Sequence, residues 1–265
     1  MSKVIGSITR GTTAPNRLRR IDRWLLHTEC SQLRRDDAPV VVDLGYGASP
    51  ITAAELRDRL VKHVRPDLKV VGIEIDPARV EAAEYLRDSS LDFIRGGFEI
   101  PIAGNASVIR AANVLRQYDV SEVEPTWQLL VKRLTDTGLL IDATCDEIGR
   151  LAAWVAVRKS ATGTPEPVSL TLAMHLDSLE KPSDVAARLP KILIHENQLG
   201  QPIHEVLQKL DQAWERTKAQ RTFGARAHWM ATLEYATTHG FVTLDSRSRW
   251  RLGEVTIPWA AVSSN

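Results

Sequence analysis

Between residues 40 and 143, short apolar runs alternate with amphipathic segments, and this alternation leaves few folds open to the chain. Val40–Leu44, Lys69–Ile75 and Gly138–Ala143 have the length and apolar content of buried strands. Segments between such runs carry apolar residues at helical spacing, as Pro50–Val64 does. Strands that alternate with helices build parallel sheets covered on both faces. The sequence therefore predicts an α/β fold with a doubly wound, mostly parallel sheet.

The pattern changes after Cys145. Two apolar runs, Leu151–Val157 and Val168–Leu176, flank a loop rich in Thr, Gly and Pro, which indicates an antiparallel strand pair. Residues 180–240 are predicted as helices. The clearest amphipathic stripe consists of Ile203, Val206, Leu207, Leu210 and Trp214.

These patterns divide the chain into three predicted regions. Residues 1–37 form an arm and a helix, with Pro15 near the start of the helical stripe. Residues 38–178 form the α/β core, which would bind the ligand. Residues 179–265 form a mainly helical region packed on the core, and the N-terminal region is expected to be a lid or part of the substrate side.

The composition excludes several classes of protein. Lys and Arg number 34 against 33 Asp and Glu, so the overall charge gives no reason to expect a polyanion as partner. Two cysteines provide no disulfide framework, and the scattered histidines lack metal-ligand spacing, so no metal site is predicted. No run approaches the ~20 apolar residues of a membrane helix, and MSKVIGSITRGTT lacks the apolar core of a signal peptide. We expect a soluble, reduced, cytoplasmic protein.

A ligand site is predicted where the first strand ends. The run stops at Asp43, and Gly45 and Gly47 follow, so a ligand can approach the backbone closely. The acid disfavours a pyrophosphate, and Pro50 stands where a dinucleotide motif has its third glycine. A ligand with a cationic group is therefore favoured over NAD. Glu74 ends the second strand, where a carboxylate can accept hydrogen bonds from ribose hydroxyls.

The pair DLGYG and VVGIEIDP resembles motifs I and II of the class I S-adenosylmethionine-dependent methyltransferases, over about residues 38–145. The resemblance implies a Rossmann-like fold and S-adenosyl-L-methionine as cofactor, with Asp43 near the methionine ammonium, the glycines beneath the ligand and Ile75 on the adenine. The segments TCDEIGR, LPKILIHEN and FGARAHW are similar to actinobacterial methyltransferase-like proteins. The implied cofactor-binding residues are Asp43, Gly45, Tyr46, Gly47, Glu74, Ile75, Gly97, Phe98 and Asn113.

Two elements depart from the family's pattern. In RGGFEIP, Gly97 stands where members often have an aspartate, and Phe98 is either a residue stacked beside adenine or a core aromatic. Asn113 stands where some methyltransferases of amino groups have an Asn-Pro-Pro-aromatic turn, but Val114 follows it. We therefore favour Asn113 as a loop cap over Asn113 as a substrate ligand, and assign no amino-group acceptor.

The candidates for catalysis and substrate binding come from other segments. Asp146 follows the fifth strand on the catalytic edge, where it serves catalysis or caps a helix. His195, followed by Glu196, is a candidate general base, with a structural role as the alternative. Five arginines between residues 10 and 24 form a solvated helix face, a lid or an anion clamp, and in the last case Arg17 and Arg20 bind substrate.

The resulting prediction is an S-adenosylmethionine-dependent methyltransferase acting on a small-molecule acceptor. One alternative is an RNA methyltransferase that uses the Arg-rich N-terminal segment, whose RNA binding would weaken strongly with salt. The other is a non-catalytic protein that retains S-adenosylmethionine binding. The sequence assigns neither the acceptor atom nor an oligomeric state.

Overall fold

The structure, a computed structural model, describes residues 4–9 and 11–264. The chain divides into two compact units, one holding residues up to 149 together with 157–166, the other holding 150–156 together with residues from 167 onward. The described part of the N-terminal 37 residues, predicted as a region of its own, belongs to the first unit. Residues 167–178, predicted as part of the core, belong to the second.

The first unit contains five parallel strands of the eight-stranded sheet, in the order β3-β2-β1-β4-β5. β1 and β4 are neighbours although β2 and β3 lie between them in sequence, so the connections leave the sheet centre in opposite directions. The carboxyl ends at such a switch point form the crevice in which doubly wound folds bind ligands. The strands are β1 (Val40–Leu44), β2 (Lys69–Glu74), β3 (Leu91–Arg95), β4 (Ala106–Ala112) and β5 (Leu134–Cys145).

Among its described residues, this unit has four α-helices: α1 (Arg19–Arg35), α2 (Ile51–His63), α3 (Pro77–Ala83) and α4 (Val123–Val131). The backbone of Asn16 has a left-handed φ of 60°, which a right-handed helix cannot include, so α1 begins after the predicted start near Pro15. The Asp76 carboxylate accepts a hydrogen bond from the Ala78 N–H at 2.9 Å and thereby fixes the start of α3.

The second unit contains strands, helices and an aromatic cluster. Its β7 and β8 pair in antiparallel register, and the hydroxyls of Thr171 and Thr256 lie 2.9 Å apart across the pair. The His228 ring stacks on Trp214 at a centroid distance of 3.6 Å. The remaining elements are β6 (Leu151–Lys159) and β7 (Pro165–Met174), both divided between the units, and β8 (Glu254–Pro258), α5 (Lys191–Ile194), α6 (Pro202–Arg216), α7 (Ala225–Thr238) and α8 (Arg247–Trp250).

The predicted fold class is confirmed: the sheet is mostly parallel and includes an antiparallel pair, and helices dominate the C-terminal region. The antiparallel register joins β7 with β8, whereas the sequence predicted a pair between Leu151–Val157 and Val168–Leu176, and β6 is the other neighbour of β7 in the sheet. The apolar stripe predicted between Ile203 and Trp214 is buried. Among the described residues, none of the helices has the length and apolar character needed to cross a bilayer.

Candidate functional site

The candidate site begins with the glycine turn after β1. Gly45 and Gly47 have φ values of 68° and 87°, in the left-handed region that favours glycine. A Cβ on Gly45 would lie 2.7 Å from a methyl of Val114, and the Gly45 N–H donates to the Ile73 carbonyl at 2.7 Å. The turn is therefore packed tightly against the neighbouring strand ends, where a side chain would not fit.

Glu74 fastens this turn to the end of β2. Its carboxylate is 2% exposed and accepts hydrogen bonds from the N–H groups of Gly47 at 3.0 Å and Ile75 at 2.9 Å, with that of Asp76 farther away at 3.3 Å. The guanidinium of Arg79 lies 3.5 Å from the same carboxylate. A carboxylate has about four acceptor positions, so Arg79 stands at the one that ribose hydroxyls could use.

Asp43 differs from its prediction. Arg110 of β4 donates to one carboxylate oxygen from Nε at 3.0 Å and forms an ion pair with the other from Nη2 at 2.8 Å, and the Thr52 hydroxyl adds a third bond at 3.0 Å. The Asp43 carboxylate is buried. A buried guanidinium already pairs with this carboxylate, so its charge alone no longer argues for a cationic ligand, and the predicted place of Asp43 near a methionine ammonium stays a prediction.

Arg110 extends this pairing to the N-terminal helix. It also bonds to Asp22 of α1, and Asp22 pairs with Arg59 of α2 at 2.5 Å. The network gives both buried carboxylates a guanidinium partner, as buried charges require, and Arg59 pairs in addition with Glu55 at 3.3 Å. It holds α1, α2, β1 and β4 together directly below the glycine turn. Sequence reasoning missed it, although an arginine inside the apolar run VIRAA was a visible signal.

Five of the predicted cofactor residues line one small cavity at the carboxyl ends of β1, β2 and β3. Its volume is about 20 Å³. The Phe98 ring closes one side and packs against Tyr118 at a centroid distance of 5.2 Å. The five residues are Gly45, Glu74, Ile75, Gly97 and Phe98.

The N-terminal segment closes the rest of this site. We call residues 4–9 and 11–12 the arm. The Ile5 carbonyl accepts a hydrogen bond from the Phe98 N–H at 2.9 Å, and the Ile5 N–H donates to Glu99 at 2.8 Å. The Ser7 N–H donates to the Tyr118 hydroxyl at 2.6 Å. The first half of the arm is thus bound to the segments after β3 and β4.

The second half of the arm lies on the glycine turn. The Gly11 carbonyl accepts from the Ala48 N–H at 2.9 Å, and a Cβ on Gly47 would lie 2.7 Å from that carbonyl oxygen. Arg79 donates to the Thr9 carbonyl at 3.1 Å. The arm therefore runs across the carboxyl ends of the strands, from Phe98 to the glycine turn. The role of a lid, which the sequence offers as one alternative, stays a prediction.

Tyr46 is not positioned for side-chain contact with a ligand. Its ring is buried against Phe93, with centroids 5.3 Å apart, and its hydroxyl donates to the Arg79 carbonyl at 3.2 Å. Burial raises the pKa of the Tyr46 phenol. Only the backbone of Tyr46 remains available to a cofactor, because the side chain belongs to the core beneath the turn.

Asn113 caps the ends of two strands, which was the favoured reading. Its backbone has a φ of 59°, its side-chain oxygen accepts from the Cys145 N–H at 2.9 Å, and its amide nitrogen lies 3.2 Å from the Cys145 sulfur. Burial raises the pKa of the Cys145 thiol, which disfavours the nucleophilic thiolate. Both polar atoms of the Asn113 side chain are therefore bonded to Cys145, and the predicted cofactor contact would have to come from the backbone.

Arg17 and Asp146 meet, although not as predicted. Arg17 donates through Nε to the Asp146 carbonyl at 2.8 Å, approaches the Cys145 carbonyl at 3.5 Å, and bonds to the Thr12 carbonyl. A Cβ on Gly149 would overlap the Arg17 carbonyl oxygen. Arg17 thus connects the arm with the loop after β5. Its guanidinium donates to three backbone carbonyls, whereas the prediction has it bind an anionic substrate.

The other predicted site residues are not among those that line this cavity, or they fall outside the described residues. Arg20 is half-buried in the first turn of α1, and Arg10 lies outside the described residues. His195 belongs to the second unit, where it is exposed at the end of α5 and its carbonyl accepts from Gln198 at 3.0 Å. The roles assigned to Arg20, Asp146 and His195 stay predictions. The described residues contain no cluster of metal-ligating side chains.

Comparison with known proteins finds no matching family model and no matching curated protein. Solved structures match about half of this chain. LepI in complex with SAM has a TM-score of 0.37 and 15% identity, over 46% of this chain and 30% of its own. The magnesium protoporphyrin IX methyltransferase ChlM from Synechocystis PCC 6803, with bound SAH, has a TM-score of 0.36 and 15% identity, over 49% of this chain and 55% of its own. The plantazolicin methyltransferase BamL, with a triazolic desmethylPZN analog and SAH, has a TM-score of 0.39 and 16% identity, over 49% of this chain and 46% of its own. The chain spans about one third to one half of the length of these proteins.

Proposed function

We propose that the protein binds S-adenosyl-L-methionine in its first unit and transfers the methyl group to a small-molecule acceptor. The observation that carries the proposal is the glycine turn joined to Glu74 at the switch point of the sheet. Two left-handed glycines bring the backbone close to a ligand, and a buried carboxylate on the neighbouring strand suits the hydroxyls of a ribose.

The residues around the turn fit an adenosyl group once the arm is displaced. Gly47 and Gly97 both face the arm backbone, and a Cβ on either would collide with an arm carbonyl oxygen. These two faces therefore accept flat or main-chain groups and exclude side chains. The hydroxyls of a ribose would exchange with Arg79 at Glu74, while Ile75 and Phe98 would form the apolar walls for the base.

Methyl transfer requires little proton transfer by the protein. S-Adenosylmethionine supplies a methyl group already activated by its sulfonium. The residues of this chain would therefore act mainly by orienting the acceptor in line and excluding water. A base is needed only when the acceptor must lose a proton, and Asp146 and His195 are the residues that we propose for that role.

The RNA alternative is the weaker one for this chain. It needs the N-terminal arginines as a phosphate-binding face, and Arg17 already donates to backbone carbonyls. Arg19 and Arg23 are exposed, but exposed arginines on a helix are ordinary surface residues. We therefore retain the small-molecule acceptor as the proposal.

Calorimetric titration with S-adenosylhomocysteine and with NAD tests the ligand. We expect the adenosyl ligand to bind and NAD to give no heat, because Pro50 stands where a dinucleotide motif has its third glycine. Glu74→Gln should weaken binding at least about tenfold, because hydrogen bonds to a charged group contribute about 1.5–3 kcal/mol. Glu81→Gln is the matched control, since Glu81 is exposed on the neighbouring α3.

Two results would contradict the proposal. One is NAD binding without any response to the adenosyl ligand. The other is an unchanged dissociation constant for a Glu74→Gln protein whose circular dichroism shows it to be folded.

A further inference from the structure

The arm occupies the space that the proposed ligand needs. The cavity left beside Gly45, Glu74 and Phe98 is about 20 Å³, whereas pockets for small molecules are about 300–1,000 Å³. On the same measure, a single water molecule needs about 10–15 Å³, so the cavity is the size of about one water. An adenosyl ligand cannot enter while the arm is in its described position.

The contacts of the arm coincide with the groups proposed to hold the ligand. The Ile5 carbonyl accepts a hydrogen bond from the Phe98 N–H, beside the proposed adenine wall. The Gly11 carbonyl accepts one from the Ala48 N–H in the glycine turn. Both are main-chain contacts. The arm therefore substitutes for a ligand at both ends of the crevice.

Arg79 connects the arm with Glu74. Its Nη2 donates to the Thr9 carbonyl at 3.1 Å, and its Nη1 lies 3.5 Å from the Glu74 carboxylate. A Cβ on Gly11 would lie 2.7–2.9 Å from the guanidinium, so Gly11 packs directly on it. When the arm leaves, Arg79 loses this packing and the Thr9 carbonyl, and it can move away from the acceptor position on Glu74.

From these contacts we infer that the arm is an intrasteric inhibitor: it blocks the adenosyl site and must leave before the ligand binds. This inference rests on the proposed function. It predicts that the apparent dissociation constant exceeds the intrinsic one by the reciprocal of the fraction of molecules whose arm is displaced.

The arm is held in a way that allows it to leave. Its two large apolar side chains are only partly buried, since Ile5 is 40% exposed and Ile8 is 58% exposed. Hydrogen bonds from the backbone provide most of its attachment, and each contributes little net stability because water replaces it on release. Displacement by a ligand that fills the same crevice is therefore energetically accessible.

The substitution Gly6→Val tests the inference without altering the walls of the site. Gly6 has a φ of 125°, and a Cβ there would lie 3.0 Å from Ile75 and 3.1 Å from the Tyr118 hydroxyl. A β-branched residue is strongly disfavoured at this φ, so the docked arm becomes unstable. Gly200→Val is the matched control, because Gly200 also has a positive φ, of 85°, but nothing lies within 4 Å of its Cβ position.

Two measurements are made on the full-length protein and on both variants. Hydrogen exchange of the Phe98 amide, without ligand, reports whether the arm is docked. Calorimetry with S-adenosylhomocysteine reports affinity. For Gly6→Val we expect the Phe98 amide to exchange at least about tenfold faster and the ligand to bind at least about tenfold more tightly, with Gly200→Val unchanged in both.

The other outcomes are distinguishable. Unchanged Phe98 exchange in Gly6→Val would overturn the docking of the arm. Faster exchange with weaker binding would make the arm a lid that stabilises the bound ligand, and would overturn inhibition. Faster exchange with no binding of S-adenosylhomocysteine by any of the three proteins would overturn the proposed function and the inhibitory role that rests on it, while leaving the docking of the arm established.

Discussion

Replacing Asp142 by asparagine should remove a large part of the pH dependence of stability. Asp142 lies in β5 with 1% exposure, and its carboxylate accepts a hydrogen bond from the Trp127 indole N–H at 3.1 Å. Burial raises the pKa of Asp142 from 3.8 to about 7, and the Trp127 bond lowers it only in part. The folded protein therefore retains a proton on Asp142 at pH values where the unfolded chain has released it.

The direction follows from proton counts. Between about pH 4 and pH 7 the folded state binds more protons at this position than the unfolded state, so stability falls as the pH rises through that window. Above about pH 7 both states are ionised and the contribution is constant. A rise of the pKa from 3.8 to about 7 corresponds to a loss of about 4 kcal/mol in total. About 2.5 kcal/mol of this loss falls between pH 5 and pH 8.

Urea unfolding of the wild type and Asp142→Asn at pH 5, 6, 7 and 8 measures the effect. The amide cannot ionise, so the variant should gain about 2.5 kcal/mol relative to the wild type between pH 5 and pH 8, whatever its stability at a single pH. Asp136→Asn is the control on the same strand, because the Asp136 side chain is 96% exposed. A difference between wild type and Asp142→Asn that stays constant with pH would refute the reasoning.

Three further substitutions test the support of the site and the predicted base. Arg110→Met should cost about 3–5 kcal/mol of unfolding free energy in urea, since it leaves two buried carboxylates short of their partner; a cost below about 1 kcal/mol would contradict this. Gly149→Ala should be less stable than Gly163→Ala by thermal unfolding, because both have a positive φ but only the first Cβ overlaps the carbonyl of Arg17; equal melting temperatures would contradict it. His195→Ala should keep its melting temperature and its affinity for S-adenosylhomocysteine, because His195 is exposed, and its methyl transfer should fall about 10²–10⁴-fold; normal turnover would remove His195 from catalysis.

The sequence by itself determined the sheet and the place of the crevice. The strand Val40–Leu44 has the predicted bounds, because buried parallel strands are short apolar runs that end at polar or glycine residues. β5 begins at Leu134, earlier than the predicted Gly138, because its first residues include polar, exposed ones that lack an apolar signal. Since parallel strands end at one edge, the position of Glu74 next to the glycine turn also followed from sequence.

Only the tertiary structure decided what surrounds these residues. Arg110 is 67 residues from Asp43, and Arg17 is 129 residues from Asp146, so no periodic pattern relates the members of either pair. The hydrogen bond from the Phe98 N–H to the Ile5 carbonyl is likewise a main-chain contact. Any residue other than proline at position 98 could donate it, so it leaves no mark in the sequence. Periodicity reports which face of an element is buried. It does not report which charge neutralises a buried carboxylate, or which backbone segment fills a crevice, because those depend on the packing of distant segments.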